Sequence, residues 1–349
     1  MLRYLTAGES HGQALVVIVE GLPAGMKVTA EDIQAELGRR RLGYGRGPRQ
    51  RFEQDEIVLI GGIRHGRTLG SPVAIEIKNS EWFRSDVWHE EMSPAPGATK
   101  KPLTQPRPGH ADLTGMQKYG FTDARDVLER ASARETAARV VAGALAKLLL
   151  KEIGVDILSH VTQMGSAKSE SNARPTIKDL PVVDASPVRA FNKEAELAMI
   201  TEIEAAAKDG DSLGGIVEVL AYGLPVGLGS YVHWDRKIDG LLAQAIMSIQ
   251  AVKGVEIGAG FASVAQRGTT HGDSLTPEGF ATNNAGGVLG GITTGQDLEV
   301  SIAIKPTSSI ITPRASIDSQ GNPTEVVTKG RHDPCVGIRA TPIAEAMLA

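Results

Sequence analysis

Residues 132–152 constrain the fold more than any other stretch of this chain. Ser132 and Glu135 stand at capping-box spacing, and the body that follows, TAARVVAGALAKLLLKEI, is Ala-rich and apolar over much of its surface. A helix of that kind belongs in the middle of a structure. A second stretch, 238–251, has the same small-residue character and predicts a second buried helix. β-Branched and apolar runs predict strands at Ala14–Glu20, Glu56–Ile60, Val73–Lys78, Ile157–Met164, Gly215–Tyr222, Gly258–Ala265 and Leu298–Ile304. The two helices separate runs of strands rather than alternating with them, which favours α+β over a doubly wound sheet. No repeat or compositional break divides the chain, so residues 1–349 read as one large domain.

Aromatic residues make up 4% of the chain, and 40 of its 349 residues are glycine. The core must therefore be built from Ala, Val, Ile and Leu, with tight turns and close backbone contacts. Cys335 is the single cysteine, which excludes an intrachain disulfide and fits a reducing compartment. The opening MLRYLTAGESHG has no apolar segment of signal-peptide length, and no run approaches the roughly 18 apolar residues of a membrane span. These features predict a cytoplasmic protein with no membrane partner.

Charge is concentrated in one place. Six arginines fall between Arg39 and Arg51, punctuated by Gly43, Gly45, Gly47 and Pro48, while the whole chain carries 37 Lys+Arg against 41 Asp+Glu. Guanidinium forks match carboxylates and phosphates, and glycines let the backbone approach a ligand. A small polyanion suits this segment better than nucleic acid, which calls for a basic balance over the whole domain.

Five polar, glycine- or proline-bounded islands interrupt the apolar text. Gly8-Glu9-Ser10-His11-Gly12 precedes a buried strand and offers a histidine able to act as acid or base near neutral pH. Arg107-Pro108-Gly109-His110-Ala111-Asp112 closes an irregular, proline-rich excursion over 79–108. Arg130-Ala131-Ser132-Ala133-Arg134-Glu135 sits at the start of the long helix, where free N–H groups suit a phosphate, although Ser132 would serve equally as a plain cap. Lys305-Pro306-Thr307-Ser308-Ser309 supplies a cation and three hydroxyls after a strand. Arg331-His332-Asp333-Pro334-Cys335 places cation, base and carboxylate in one loop, ahead of a helix expected to open at Thr341-Pro342. The dinucleotide fingerprint, the P-loop, the nucleophile elbow and zinc-type His/Cys spacings are all absent, so no metal site is expected.

GESHG at 8–12, RRRLGYGR at 39–46, RPGHAD at 107–112, RASARET at 130–136, SIQAVKGVEIG at 248–258, NNAGGVLGGI at 283–292, KPTSS at 305–309 and RHDPCVGIRATPIAEAM at 331–347 occur in this order. With these motifs the chain resembles chorismate synthase over essentially its whole length, ending inside what looks like the family's last helix, so that a C-terminal tail is expected to be missing. The resemblance implies a β-α-β sandwich, with long central helices between antiparallel sheets, assembled as a homotetramer. It also implies the 1,4-elimination of phosphate from 5-enolpyruvylshikimate 3-phosphate, dependent on reduced FMN. By the same resemblance Ser10, Arg40, Arg46 and Arg134 hold the substrate, with Arg49, Arg107 and Arg339 auxiliary. FMN is held by Arg130, Ala131, Ser132, Gln250, Ala251, Gly290, Lys305, Pro306, Thr307, Ser308, Ser309 and Arg331. His11 matches the residue that protonates the departing phosphate, His110 the one that protonates the reduced flavin, and Asp333 the carboxylate that supports proton removal. Some relatives reduce their own flavin with NADPH; with no nicotinamide fingerprint or added domain, this chain is expected to rely on an external reductant.

Overall fold

The helix read from 132–152 does run between two antiparallel sheets. The computed structural model describes residues 2–45, 54–97, 101–328 and 333–349, so the expectations placed on Arg46, Arg49 and Arg331 lie outside the described residues. One sheet is formed by Arg3–Ala7 (β1), Ala14–Glu20 (β2), Ile57–Gly61 (β3) and Val73–Lys78 (β4), in the order β1-β2-β4-β3. The other is formed by Asp156–Met164 (β5), Ala167–Lys168 (β6), Gly215–Tyr222 (β7), Val252–Ile257 (β8) and Leu298–Ile304 (β9), in the order β8-β9-β7-β5-β6. All their pairings are antiparallel. Helices Ala30–Arg41 (α1), Asp86–Glu91 (α2), Asp112–Tyr119 (α3), Arg125–Ala131 (α4), Thr136–Glu152 (α5), Ile238–Met247 (α6) and Gly337–Leu348 (α7) connect and fill these sheets.

The filling is α1, α5 and α7. Helix α5 packs on β2 of the first sheet and β5 of the second, α7 packs on β5 and β7, and α1 lies against both helices. Alternation along the strands explains the closure. Leu15, Val17, Val19, Val73, Ile75 and Ile77 turn inward and are fully buried, whereas Leu5 and Ile60 on the other face of the first sheet are 69% and 58% exposed. The helices approach closely because their contacts are small. A Cβ on Gly143 of α5 would lie 2.2 Å from the Cβ of Ala346 on α7.

Four expectations are corrected here. The second central helix is α7, buried from Ala340 to Ala346, and not 238–251; α6 ends at Met247 and buries only Leu242 and Ile246. Its apolar character does not by itself reveal which faces the fold covers. Helix α7 begins at Gly337 and carries Pro342 inside it, so Thr341-Pro342 is no helix start; the carbonyl of Ile338, deprived of its usual donor, accepts the Thr341 hydroxyl at 2.8 Å. Residues 260–265 form a 3-10 turn rather than a strand, the strand being β8 just before it. Gly258 ends that strand with φ +58° at a point where a Cβ would lie 2.3 Å from the Asn284 carbonyl. Finally, Ser132 caps a 3-10 turn, Ala133–Glu135, by accepting from the Arg134 N–H, and α5 starts only at Thr136.

One buried charge network ties the central helices together. Glu345 of α7 is fully buried, takes Arg39 of α1 at 2.5 and 2.8 Å and Lys147 of α5 at 2.8 Å, and accepts the Ser159 hydroxyl of β5 at 2.7 Å. Burial pushes the Glu345 carboxyl up, but the charges of Arg39 and Lys147 outweigh it and hold the group well below the usual carboxylate range.

Candidate active site

His11 lies in the turn between β1 and β2. The turn pinches at Gly8, whose φ is +97° and where a Cβ would sit 2.3 Å from the Ala14 carbonyl, so only glycine fits. Asn79 props the turn by donating to the carbonyls of Glu9 (3.0 Å) and Gly12 (2.7 Å). From α4, Glu129 holds it at three points. Its carbonyl accepts the Ser10 N–H at 3.0 Å, one carboxylate oxygen accepts the His11 N–H at 2.8 Å, and the other lies 2.8 Å from His11 Nδ1. The Ser132 hydroxyl meets that of the buried Ser10 at 3.2 Å. Trp88 of α2 stacks on the His11 ring, so the proline-rich excursion reaches back over this turn.

Arg40 and Arg134 are buried at the entrance to α5. Arg40 donates to the Thr136 hydroxyl at 3.0 and 3.3 Å and to the Ala133 carbonyl at 3.1 Å. Arg134 donates to Asn79 Oδ1 at 2.9 Å and to a carboxylate oxygen of Asp55. Asp55, wholly buried and in the left-handed region at φ +50°, also has Arg40 at 3.9 Å. Burial raises the Asp55 carboxyl, but Arg134 and Arg40 outweigh it and keep the group ionised below its ordinary range. Two guanidiniums thus stand against one buried carboxylate.

His110 is held by a carboxylate in the same manner as His11. Its Nδ1 bonds Asp112 at the start of α3, and Asp112 is fixed in turn by Arg107 Nε at 2.7 Å. Burial raises the Asp112 carboxyl, and the bonds from His110 and Arg107 overcome it, keeping the group well below the usual range. Arg107 continues to the Ser309 hydroxyl at 3.0 Å, while Lys305 Nζ donates to the Gly109 carbonyl at 2.5 Å. Arg314, a residue the sequence did not single out, donates to the Pro108 carbonyl at 2.8 Å and to the Ser308 carbonyl. Three cations, the Ser309 hydroxyl and the Ser308 carbonyl therefore gather around the loop that carries His110.

Hydrogen bonds, with short stretches of chain between them, link these groups into a ring. Gln250 donates to Glu135 at 3.1 Å; the next residue, Ala251, strained at φ +71°, accepts the Lys305 N–H at 2.9 Å. Thr307 donates to the Asp333 carbonyl at 3.3 Å, and the Asp333 carboxylate takes Arg339 Nη2 of α7 at 2.6 Å. Helix α7 returns through Glu345 to Arg39, the neighbour of Arg40. Arg130 turns toward β1, donating to the carbonyls of Gly8 (3.0 Å) and Thr6 (2.9 Å), which leaves Ala131 beside Ser132 at the end of α4. Pro306 lies within the hydroxyl segment. Gly290 stands apart: it turns a short hairpin between Val288–Leu289 and Ile292–Thr293, and among the described contacts none joins it to the ring. Asp112 had a local sequence signal, an acid two residues after a histidine. Glu129, Asp55 and Trp88 had none, because each meets its partner only through the fold.

Two carboxylate-held imidazoles, two buried guanidiniums and the cations gathered on the 305–309 segment make up a candidate active site of the kind an enzyme for a small anion needs. The sequence pattern of the chorismate synthase family matches residues 2–349. The chain is 53% identical to chorismate synthase of Salinispora tropica, covering 100% of this chain and 92% of that one, and 53% identical to that of Mycobacteroides abscessus, covering 100% and 87%. A crystal structure of chorismate synthase superposes with a TM-score of 0.77 at 36% identity, covering 99% of this chain and 89% of the other. The chain belongs to the chorismate synthase family. These are lyases acting on phosphates, and their reaction is the last step of the shikimate pathway.

Proposed function

We propose that this chain binds 5-enolpyruvylshikimate 3-phosphate and reduced FMN within the ring of contacts, and that His11 protonates the phosphate as it departs. The observation that carries the reading is the ring itself, in which hydrogen bonds made by His11, Arg40, the His110 loop, the 305–309 segment and Asp333 are joined through the stretches of chain between them. The substrate carries a phosphate and two carboxylates, so it needs more than one guanidinium. Arg40 and Arg134, both paired with the buried Asp55, supply two. The residues at 305–309 fit a cofactor phosphate, since Lys305, Arg107 and Arg314 bring cations to a segment that carries three hydroxyls. Gln250 Oε1, buried and without a hydrogen-bond partner, adds an unsatisfied acceptor in the segment assigned to the flavin. With Ala251, Arg130 and Ser132 these residues would hold FMN. The chemistry that reduced FMN supplies when bound is electron density toward the substrate, with help in removing the C6 hydrogen. His110 holds a proton against Asp112, and Asp333, fixed by Arg339, offers a carboxylate to an outgoing proton.

The same reading takes residues 1–349 as one domain of a cytoplasmic homotetramer served by an external flavin reductant. The exposed Leu5, Ile18, Val58 and Ile60 on the outer face of the first sheet support the assembly. The test is an anaerobic assay of phosphate release with dithionite-reduced FMN, set against NADPH with oxidised FMN. Turnover is expected only with the former, and His11→Ala and His110→Ala should each lose about one to three orders of magnitude. Near-native turnover in either variant would overturn the role given to that residue.

A further inference from the structure

We propose that Glu129 is a positioning residue that holds the proton on His11 Nδ1, so that the imidazolium gives up its Nε2 proton to the leaving phosphate and is left as the neutral Nδ1–H tautomer, an inference that rests on the role given to His11 above. Among the described residues two carboxylates approach the ring, one at each nitrogen. Glu129 lies 2.8 Å from Nδ1, a full hydrogen bond, while Glu81 lies 3.6 Å from Nε2, beyond hydrogen-bond range. A carboxylate can only accept, so with Glu129 ionised the neutral ring must carry its proton on Nδ1.

Glu129 is 4% exposed, and burial pushes its carboxyl up, but the bond from the His11 side chain, the charge of a protonated His11, the bond from the His11 backbone and the charge of Arg125, 3.6 Å away, outweigh burial and lower it. Among the described residues, Glu129 and Glu81 face the ring, Arg125 stands behind Glu129, and the uncharged Trp88 indole lies on the ring's face.

The backbone makes the device specific. The second Glu129 oxygen accepts the His11 N–H at 2.8 Å, a donor that cannot turn away. In Glu129→Gln the amide oxygen must take that N–H, so the amide nitrogen falls opposite Nδ1. A donor there requires an unprotonated Nδ1, and the ring must invert to Nε2–H. The change is isosteric and removes no packing.

The experiment is ¹⁵N NMR of protein labelled in its histidine rings, with His11 assigned by its loss in His11→Asn, at a pH where the ring is neutral, alongside steady-state kinetics. Expected are an Nδ1–H ring in the unaltered protein, an Nε2–H ring in Glu129→Gln, and a kcat for that variant lower by about tenfold or more with KM within about twofold. An Nε2–H ring in the unaltered protein overturns the proposal without recourse to any variant, and so does an Nδ1–H ring in Glu129→Gln. Inversion with kcat unchanged would overturn proton delivery by Nε2; it would leave the hold of Glu129 on the ring intact, and full turnover in His11→Ala would then locate the failure in the role of His11 itself.

Discussion

The indole of Trp88 lies face to face with the imidazole of His11, ring centres 4.0 Å apart and planes 19° from parallel. Trp88 belongs to a segment that the sequence presents only as irregular and proline-rich, yet it forms one wall around the proposed acid. Such stacking is worth about 0.5–1.5 kcal/mol beyond the area buried.

Trp88→Leu should therefore lower kcat by roughly three- to tenfold, with a small change in KM, while Trp88→Phe keeps the stack and most of the rate. Steady-state kinetics of the two variants checks this. Equal rates for Leu and Phe would show that the wall needs only bulk.

Arg40→Lys keeps the charge beside Asp55 but loses the fork that reaches both the Thr136 hydroxyl and the Ala133 carbonyl. Substrate binding is expected to weaken by about 1–3 kcal/mol, with flavin affinity little changed. Titration calorimetry with each ligand separates the two effects, and equal losses would mean that Arg40 shapes the whole site.

Gly143→Ala should be destabilising by about 1–3 kcal/mol, because the new methyl has no room beside Ala346. Gly38→Ala, also within a helix but with only the Arg41 side chain at 3.9 Å, should instead be stabilising by about 0.4–1 kcal/mol. Urea midpoints of the two variants should thus move in opposite directions.

Glu345→Gln leaves Arg39 and Lys147 facing a neutral amide, and a loss of about 3–5 kcal/mol is expected for breaking a buried ion pair. The pH dependence has a definite sign. Glu345 and Asp112 have folded-state values below their unfolded ones, so their contribution is complete above about pH 4.3 and is lost as pH falls toward the lowered folded values. Urea midpoints for the unaltered chain should stay level on this account between neutral pH and about pH 5 and fall below that, with a shallower fall in Glu345→Gln.

The sequence disclosed what local pattern can carry. The long helix, the strands at Ala14–Glu20, Val73–Lys78, Gly215–Tyr222 and Leu298–Ile304, and the Thr29 cap with Asp32 were all legible from period and spacing. The second central helix was not, because Pro342 reads as a helix start and its tolerance depends on the Thr341 hydroxyl. The histidine islands stood out as polar text between apolar elements. Their carboxylates were harder to find: Glu129 is 118 residues from His11, and no spacing rule connects them.

That separation bears on how the protein is made. His11 waits for Glu129, Gly109 for Lys305 196 residues later, and Arg39 for Glu345 306 residues later. A ribosome that has just completed α5 has extruded an apolar helix with one sheet to lean on, while the helix and the second sheet that cover its other side are still unmade. Contacts so distant in sequence form slowly and leave sticky surface bare in the meantime. The pair that ties α1 to α7 can therefore form only once residue 345 has been made, and until then Arg39 is without its buried partner.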